Sequence, residues 1–143
     1  MEIFIASFQS VDYYKSIELR YLILRKPLGM VYTPEQLAEE YDQFHFVAKI
    51  NQDIVGVIVL QKLENNIAKM RQVAIDAKLQ RNGIGAKLVA YVENWCKSNE
   101  INLITLHARE NAIPFYEKLN YYTIGNPFVE VGINHSEMEK KMN

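Results

Sequence analysis

Between Phe44 and Cys96 the hydrophobic period of this chain changes, and that change restricts the possible folds more than any other feature. Three apolar runs, Phe44–Ile50, Ile54–Leu60 and Ile67–Ile75, are separated by Asn51-Gln52-Asp53 and Glu64-Asn65-Asn66. Runs of strand length broken by turn-forming residues predict an antiparallel meander. Beyond residue 83 the apolar positions become Ile84, Leu88, Tyr91, Val92, Trp95 and Cys96. Their spacings of three and four mark a helix with one buried face. Ile101–His107 reads as a further short strand, so residues 67–107 form one βαβ unit.

The flanks add smaller elements. Ile3-Phe4-Ile5 suggests a first strand, and Tyr13, Ile17, Leu19, Tyr21 and Leu24 give a helical pattern over residues 13–24. Thr33-Pro34-Glu35-Gln36 reads as a helix start, with Thr33 as N-cap and Pro34 at the first position; that helix should end near Tyr41. Asn111 is placed to cap another helix running to about Leu119, with Pro114 in its first turn, where the missing N–H is not needed. Two strands, Tyr122–Val131 and His135–Met142, complete the chain. The expected architecture is mixed α/β (α+β). It is a single, mostly antiparallel, twisted central sheet of about six or seven strands, flanked by about four helices. No Pro/Gly/Ser-rich linker or repeat divides the 143 residues, so residues 1–143 are expected to form a single domain.

Composition excludes several functions. The formal net charge is −1 and the basic residues are scattered, unlike the footprint of a nucleic-acid binder. Cys96 is the only cysteine and has no disulfide partner in the chain. The first residues carry no signal-peptide pattern, and no apolar run reaches the ~18 residues of a membrane span. A cytoplasmic protein with no membrane partner is the expectation. Three isolated histidines and one cysteine show no metal-ligand spacing.

The most informative local segment is Gln80-Arg81-Asn82-Gly83-Ile84-Gly85, at a strand-to-helix junction. A helix start presents unpaired N–H groups and the positive end of the dipole, which attract phosphate. Glycines at 83 and 85 let the backbone approach an anion. No Gly-Lys-Ser/Thr follows, so this is not a Walker loop, and the third glycine of a dinucleotide fingerprint is missing. A plain helix N-terminus with incidental glycines is the competing reading.

Gln/Arg-x-x-Gly-x-Gly/Ala at such a junction resembles the acetyl-CoA pyrophosphate loop of the GNAT-type N-acetyltransferase superfamily. The preceding Val73-Ala74-Ile75-Asp76 and the later Asn111-Ala112-Ile113-Pro114-Phe115-Tyr116-Glu117-Lys118-Leu119 are similar to that family's other motifs, in the same order. The likeness covers nearly the whole chain. Leu19-Arg20 and Leu24-Arg25-Lys26-Pro27-Leu28-Gly29 resemble a small, mostly uncharacterised bacterial branch, as does Glu130-x-Gly132-Ile133-Asn134-His135. Two departures stand out: Asn134 replaces a proline, and Asn120 replaces a glycine after the Phe-Tyr helix.

The resemblance implies an acetyl-CoA-dependent N-acetyltransferase acting on an amine of a small molecule or peptide. An acyl-CoA-binding regulatory or interaction protein on the same fold, without turnover, is the alternative. It further implies that the backbone of Val73, Ala74 and Ile75 pairs with the pantetheine arm. Gln80, Arg81, Asn82, Gly83, Ile84, Gly85 and Ala86 would surround the pyrophosphate, with Asn111, Phe115 and Tyr116 as further coenzyme contacts. Tyr116 matches the tyrosine that faces the coenzyme sulfur, and a phenol with a pKa near ~10 can protonate a leaving thiolate. His135 and Glu130 match the branch's ending and are candidates for the base. A structural hydrogen bond at a strand end is the other reading of His135. His107 is a second candidate, while His45 and Cys96 read as structural. Arg20 and Arg25 are five residues apart on the first helix, either as solvated charges or as a site for an acidic group on the acceptor. Family members are often dimers, so a homodimer is a further expectation.

Overall fold

The computed structural model describes residues 1–143 and holds one seven-stranded sheet. Strands β1 (Glu2–Ala6), β2 (Phe44–Ile50), β3 (Asp53–Lys62), β4 (Ile67–Ile75), β5 (Leu103–Arg109), β6 (Tyr122–Glu130) and β7 (Ile133–Lys141) are ordered β1-β2-β3-β4-β5-β7-β6. All neighbours are antiparallel except β4 and β5. Helices α1 (Val11–Arg20), α2 (Pro34–Ala38), α3 (Ile84–Ser98) and α4 (Ile113–Lys118) flank the sheet. The expected meander is β2–β3–β4, and α3 is the crossover between the two parallel strands. No helix is long and apolar enough to cross a membrane.

Two cores lie on opposite faces of the sheet. The larger packs Ile84, Leu88, Val92 and Cys96 of α3 on Phe46, Ile58, Met70, Ile104, Leu106 and Met138. The smaller packs Tyr13 and Leu19 of α1 on Val47, Val57, Val59 and Ala74. Tyr91 belongs to the predicted α3 stripe but is 40% exposed, with its ring edge-on to Phe46. Cys96 is fully buried, and burial pushes its thiol up to about 12. That is far from the activated range of a nucleophile.

Strand β4 changes phase midway because it carries an extra residue. Val59 pairs with Arg71 and Val57 with Ala74, so three β4 steps face two on β3. Gln72, inside the bulge, adopts φ +53°. Before the bulge Ala68 and Met70 face α3; after it Ala74 faces α1 while Val73 and Ile75 turn towards α3. One inserted residue reverses the side-chain alternation.

Several expected boundaries shift. The first helix is α-helical only to Arg20; Tyr21–Arg25 widen into a π-helical turn in which Lys26 N–H donates to the Tyr21 carbonyl. α2 begins as expected with a Thr33–Gln36 capping box but stops at Ala38 rather than near Tyr41. Asn111 does not cap α4. It lies in a 3-10 turn over Glu110–Ala112, and the N-cap is Ala112, without a side-chain bond. Asn120 takes φ +72° just after α4, the left-handed conformation that asparagine adopts more easily than most residues.

Candidate active site

The parallel pair that forms the site separates midway. β4 and β5 are in register only from Ile67–Leu103 to Met70–Leu106. Past that point Gln72–Ile75 keep β3 on one side, with Ala74 opposite Val57 and Ile75 opposite Gly56, and have no strand partner on the other. Gln72 and Val73, at the point of separation, border a cavity of about 420 Å³ also lined by Leu106, Ala108, Tyr116, Glu130 and His135 among others. Strand alternation assigns these residues to faces. Leu106, Ala108 and Tyr116 belong to the α3-side core, so His107 and Arg109 lie on the α1 side. The cleft therefore passes through the sheet from one face to the other.

The α3 start opens towards the same end of β4. Gly83 is its N-cap at φ +80°, with no side-chain bond to the free N–H groups, and a Cβ there would meet nothing within 4 Å. Uncapped amides beside open space, with Arg81 exposed next to them, suit a phosphate. Gln80, at the surface, folds back so that its Nε2 donates to the Ile75 carbonyl at 3.1 Å and ties the loop to the end of β4. Ile84 is buried in the core. Gly85 and Ala86 occupy the first turn. These features fit the pantetheine and pyrophosphate of acetyl-CoA, with a strand edge for the amide arm and a bare helix start for the phosphates.

Tyr116 lies 6% exposed at the cleft, and burial raises its phenol above the ordinary value. It is protonated throughout the neutral range. Phe115, its neighbour, packs edge-on to it at 5.0 Å between centroids. Asn111 is exposed and does not line the cavity.

On the other side, Glu130 at the end of β6 stands between two histidines. Its Oε1 is 3.1 Å from His107 Nδ1 and its Oε2 3.7 Å from His135 Nε2. His135 Nδ1 is 2.8 Å from the Ile133 carbonyl. A carbonyl only accepts, so Nδ1 carries a proton, and in the neutral ring the lone pair is on Nε2. The same logic makes His107 Nδ1 the donor to Glu130. Phe128 stacks on the His135 ring at 5.9 Å. His135, Glu130 and His107 thus share one cluster. Its closure depends on the β5–β7–β6 pairing, which no local sequence signal specifies.

Arg20 occupies neither of its two expected settings. It is fully buried and binds Glu40 through both terminal nitrogens, at 2.9 and 3.0 Å. Arg71 joins the same carboxylate at 3.0 Å. Arg25 does line the cleft, with its guanidinium 4.5 Å from the centre of the Tyr32 ring. Tyr32 also covers Arg20 and donates its hydroxyl proton to Gln72 at the β4 bulge. Sequence reasoning missed Tyr32, Gln72 and Arg109. The only available signal was the odd–even alternation that puts Arg109 on the same face as His107.

A splayed parallel pair, a bare helix start at its mouth and a buried tyrosine beside it define an acetyl-CoA-dependent N-acetyltransferase. Residues 24–142 match the acetyltransferase (GNAT) domain family, and the chain belongs to that family. It is 25% identical over 134 residues to a Bacillus subtilis (strain 168) protein provisionally named an acetyltransferase, covering 91% of this chain and 90% of that one. A Lactobacillus plantarum protein, provisionally an N-acetyltransferase, superposes with a TM-score of 0.89 at 17% identity, over 99% of this chain and 98% of that chain. An aminoglycoside 6'-N-acetyltransferase solved with coenzyme A superposes with a TM-score of 0.84 at 17% identity, over 100% and 98%. The enzyme transfers an acetyl group from acetyl-CoA to an amine acceptor.

Proposed function

We propose that residues 1–143 work as one domain that acetylates the amine of a small molecule or peptide, with Tyr116 as acid and His135 as base. The observation that carries this reading is the position of the two residues. Both border one through-sheet cleft, Tyr116 from the α3 side and His135 from the far strands. Acetyl-CoA supplies the acetyl group as an activated thioester. The Val73–Ile75 strand edge holds the pantetheine amides, and Gln80–Ala86 surround the pyrophosphate. Phe115, which packs against Gly85 of this loop, is a flanking contact, and Asn111, outside the cleft lining, would meet the coenzyme from its solvent side.

His135 Nε2 takes the proton that the amine releases as its nitrogen bonds to the acetyl carbon. Glu130 stabilises the resulting imidazolium and also fixes His107. Tyr116 gives its proton to sulfur as the carbon–sulfur bond breaks, and recovers one from solvent. A phenol is suited to this because it stays protonated at neutral pH and so is always available as a donor to the departing sulfur. An unpaired amide of the β4 edge beside the carbonyl oxygen would contribute on the order of 10²–10³ in rate. The exposed edge of β6, with Val129 69% exposed, supports the homodimer reading.

The test is thiol release from acetyl-CoA across amino acids, polyamines and peptide N-termini. Acetylated amine with stoichiometric free thiol is expected for at least one class. Tight coenzyme binding without turnover on any amine would favour a coenzyme-binding regulator instead.

A further inference from the structure

The charges around the cleft are unbalanced, and the imbalance lies on the acceptor side. Arg25, Lys69, Arg71 and Arg109 line it, with Glu130 as the single carboxylate. Glu130 is engaged with two histidines, and Arg71 with Glu40 and Gln43. Arg25, Lys69 and Arg109 enter no ion pair. The β7 acids on the same sheet face, Glu137 and Glu139, accept instead from Thr105 and Tyr122. Three half-buried cations without counter-ions, bordering a cavity, create a field that attracts an anion and repels a polycation.

Arg109 is the best placed of the three. It is the direct cross-strand partner of His135. One terminal nitrogen, Nη2, donates to the Leu24 carbonyl at 3.1 Å, which anchors the guanidinium at the π-helical turn and leaves its other donors free. A guanidinium held this way suits two-point binding of a carboxylate. Neighbouring cross-strand residues lie about 5 Å apart, so a group bound at Arg109 brings an amine a few bonds away close to His135.

We infer that the acceptor is a small amine bearing a carboxylate, such as a free amino acid, with Arg109 as its carboxylate anchor and Lys69 and Arg25 as supporting charges. This rests on the acetyl-transfer reading above. It separates the amino-carboxylates from polyamines and aminoglycosides, which carry only positive charge.

The experiment compares matched acceptors on the full chain: alanine, leucine and phenylalanine, each beside its amide and its decarboxylated amine. The expected result is a kcat/KM ten- to hundredfold higher for the carboxylate, the usual worth of one charged hydrogen-bonded contact. In Arg109→Gln that ratio should fall towards one, whatever the residual rate. In Lys69→Gln, whose side chain makes no hydrogen bond, it should fall about threefold, a small electrostatic effect. A second arm titrates the N-acetyl amino acids and their amides into the enzyme with coenzyme A present. If no amine turns over, the catalytic reading fails, while this arm still decides the anchor. Tighter binding of the carboxylates, lost in Arg109→Gln, supports it. Equal binding of carboxylates and amides, or no binding of either, overturns it, as does a kcat/KM ratio near one in the unmodified enzyme.

Discussion

Gly85 in the first turn of α3 lies against the ring of Phe115 in α4: a Cβ on residue 85 would stand 3.1 Å from Cζ and 3.3 Å from Cε1. The second glycine of the Gly83-Ile84-Gly85 run is thus what lets the two motif-bearing helices touch. Gly85→Ala should therefore act first on packing. Overpacking of this kind costs about 1–3 kcal/mol, here towards the low end because the ring needs to shift only a few tenths of an ångström. Denaturant midpoints should fall, and Gly85→Ala/Phe115→Leu should recover part of the loss. A purely additive double variant would show that the contact carries no energy.

Gly83 differs in kind, since a side chain there meets no atom but must adopt φ +80°. Gly83→Val should cost roughly 1–2 kcal/mol in stability. It should also pull the first amides of α3 away from the phosphates. Losing one or two such bonds weakens acetyl-CoA binding about ten- to thirtyfold. Calorimetric titration of the folded variant checks this, and an unchanged Kd would remove the loop from the coenzyme site.

Tyr116→Phe keeps the ring and deletes the hydroxyl. Positioned acid catalysis is typically worth about 10²–10⁴, but a thiolate is already a fair leaving group, so a tenfold to hundredfold fall in kcat is expected. Coenzyme affinity should barely move. Steady-state turnover beside direct titration separates the two, and full activity in the variant would leave Tyr116 with packing alone.

His45 is 1% exposed, with Nε2 3.1 Å from the Glu40 carbonyl and Nδ1 without a partner. Desolvation lowers its pKa, outweighing the opposing pull of Glu40. The unfolded chain, with a pKa near ~6.5, then binds this proton more readily than the folded one. Its contribution to stability is complete above about pH 6.5 and is lost as pH falls from there towards the lowered folded value, with a slope of at most about 1.4 kcal/mol per pH unit. His45→Gln, which can still donate to the Glu40 carbonyl, should flatten the stability profile just below about pH 6.5. Equal slopes in chemical denaturation across that window would assign the acid sensitivity to other groups.

The Arg20–Glu40 pair predicts a much larger effect. Removing one member of a buried pair leaves an uncompensated charge and costs about 3–5 kcal/mol. Glu40→Ala strands Arg20 and loosens Arg71, so it should be among the most destabilising single changes outside the apolar cores. A loss below about 1 kcal/mol in urea unfolding would mean that water reaches Arg20.

What the sequence revealed and what it concealed divide along the range of the interactions. β2 and β4 begin and end as the apolar runs indicate, and α3 begins at Ile84, because alternation and a 3.6-residue stripe are recorded in neighbouring residues. The Thr33–Gln36 capping box is equally local. The burial of Arg20 depends on a carboxylate twenty residues later and on Arg71 beyond it, so its charge alone pointed outward. Asn111 looked like a cap because asparagine commonly is one, yet the chain tightens into a 3-10 turn before α4 begins. Glu130 and His135 were legible as a motif; that His107 completes the cluster follows only from sheet order.

The extra residue at Gln72 makes one strand behave as two half-strands of opposite phase. Replacing Gln72 alters one hydrogen bond, to Tyr32, but leaves the count of residues intact. Deleting it would leave β3 and β4 with two steps each between the Val59–Arg71 and Val57–Ala74 pairs, so Val73 and Ile75 would still face α3 and Ala74 would still face α1. What the deletion removes is the bend and the added twist that a bulge gives a strand. Both cores should therefore survive the loss of Gln72, and the effect should fall on the edge of β4 that parts from β5.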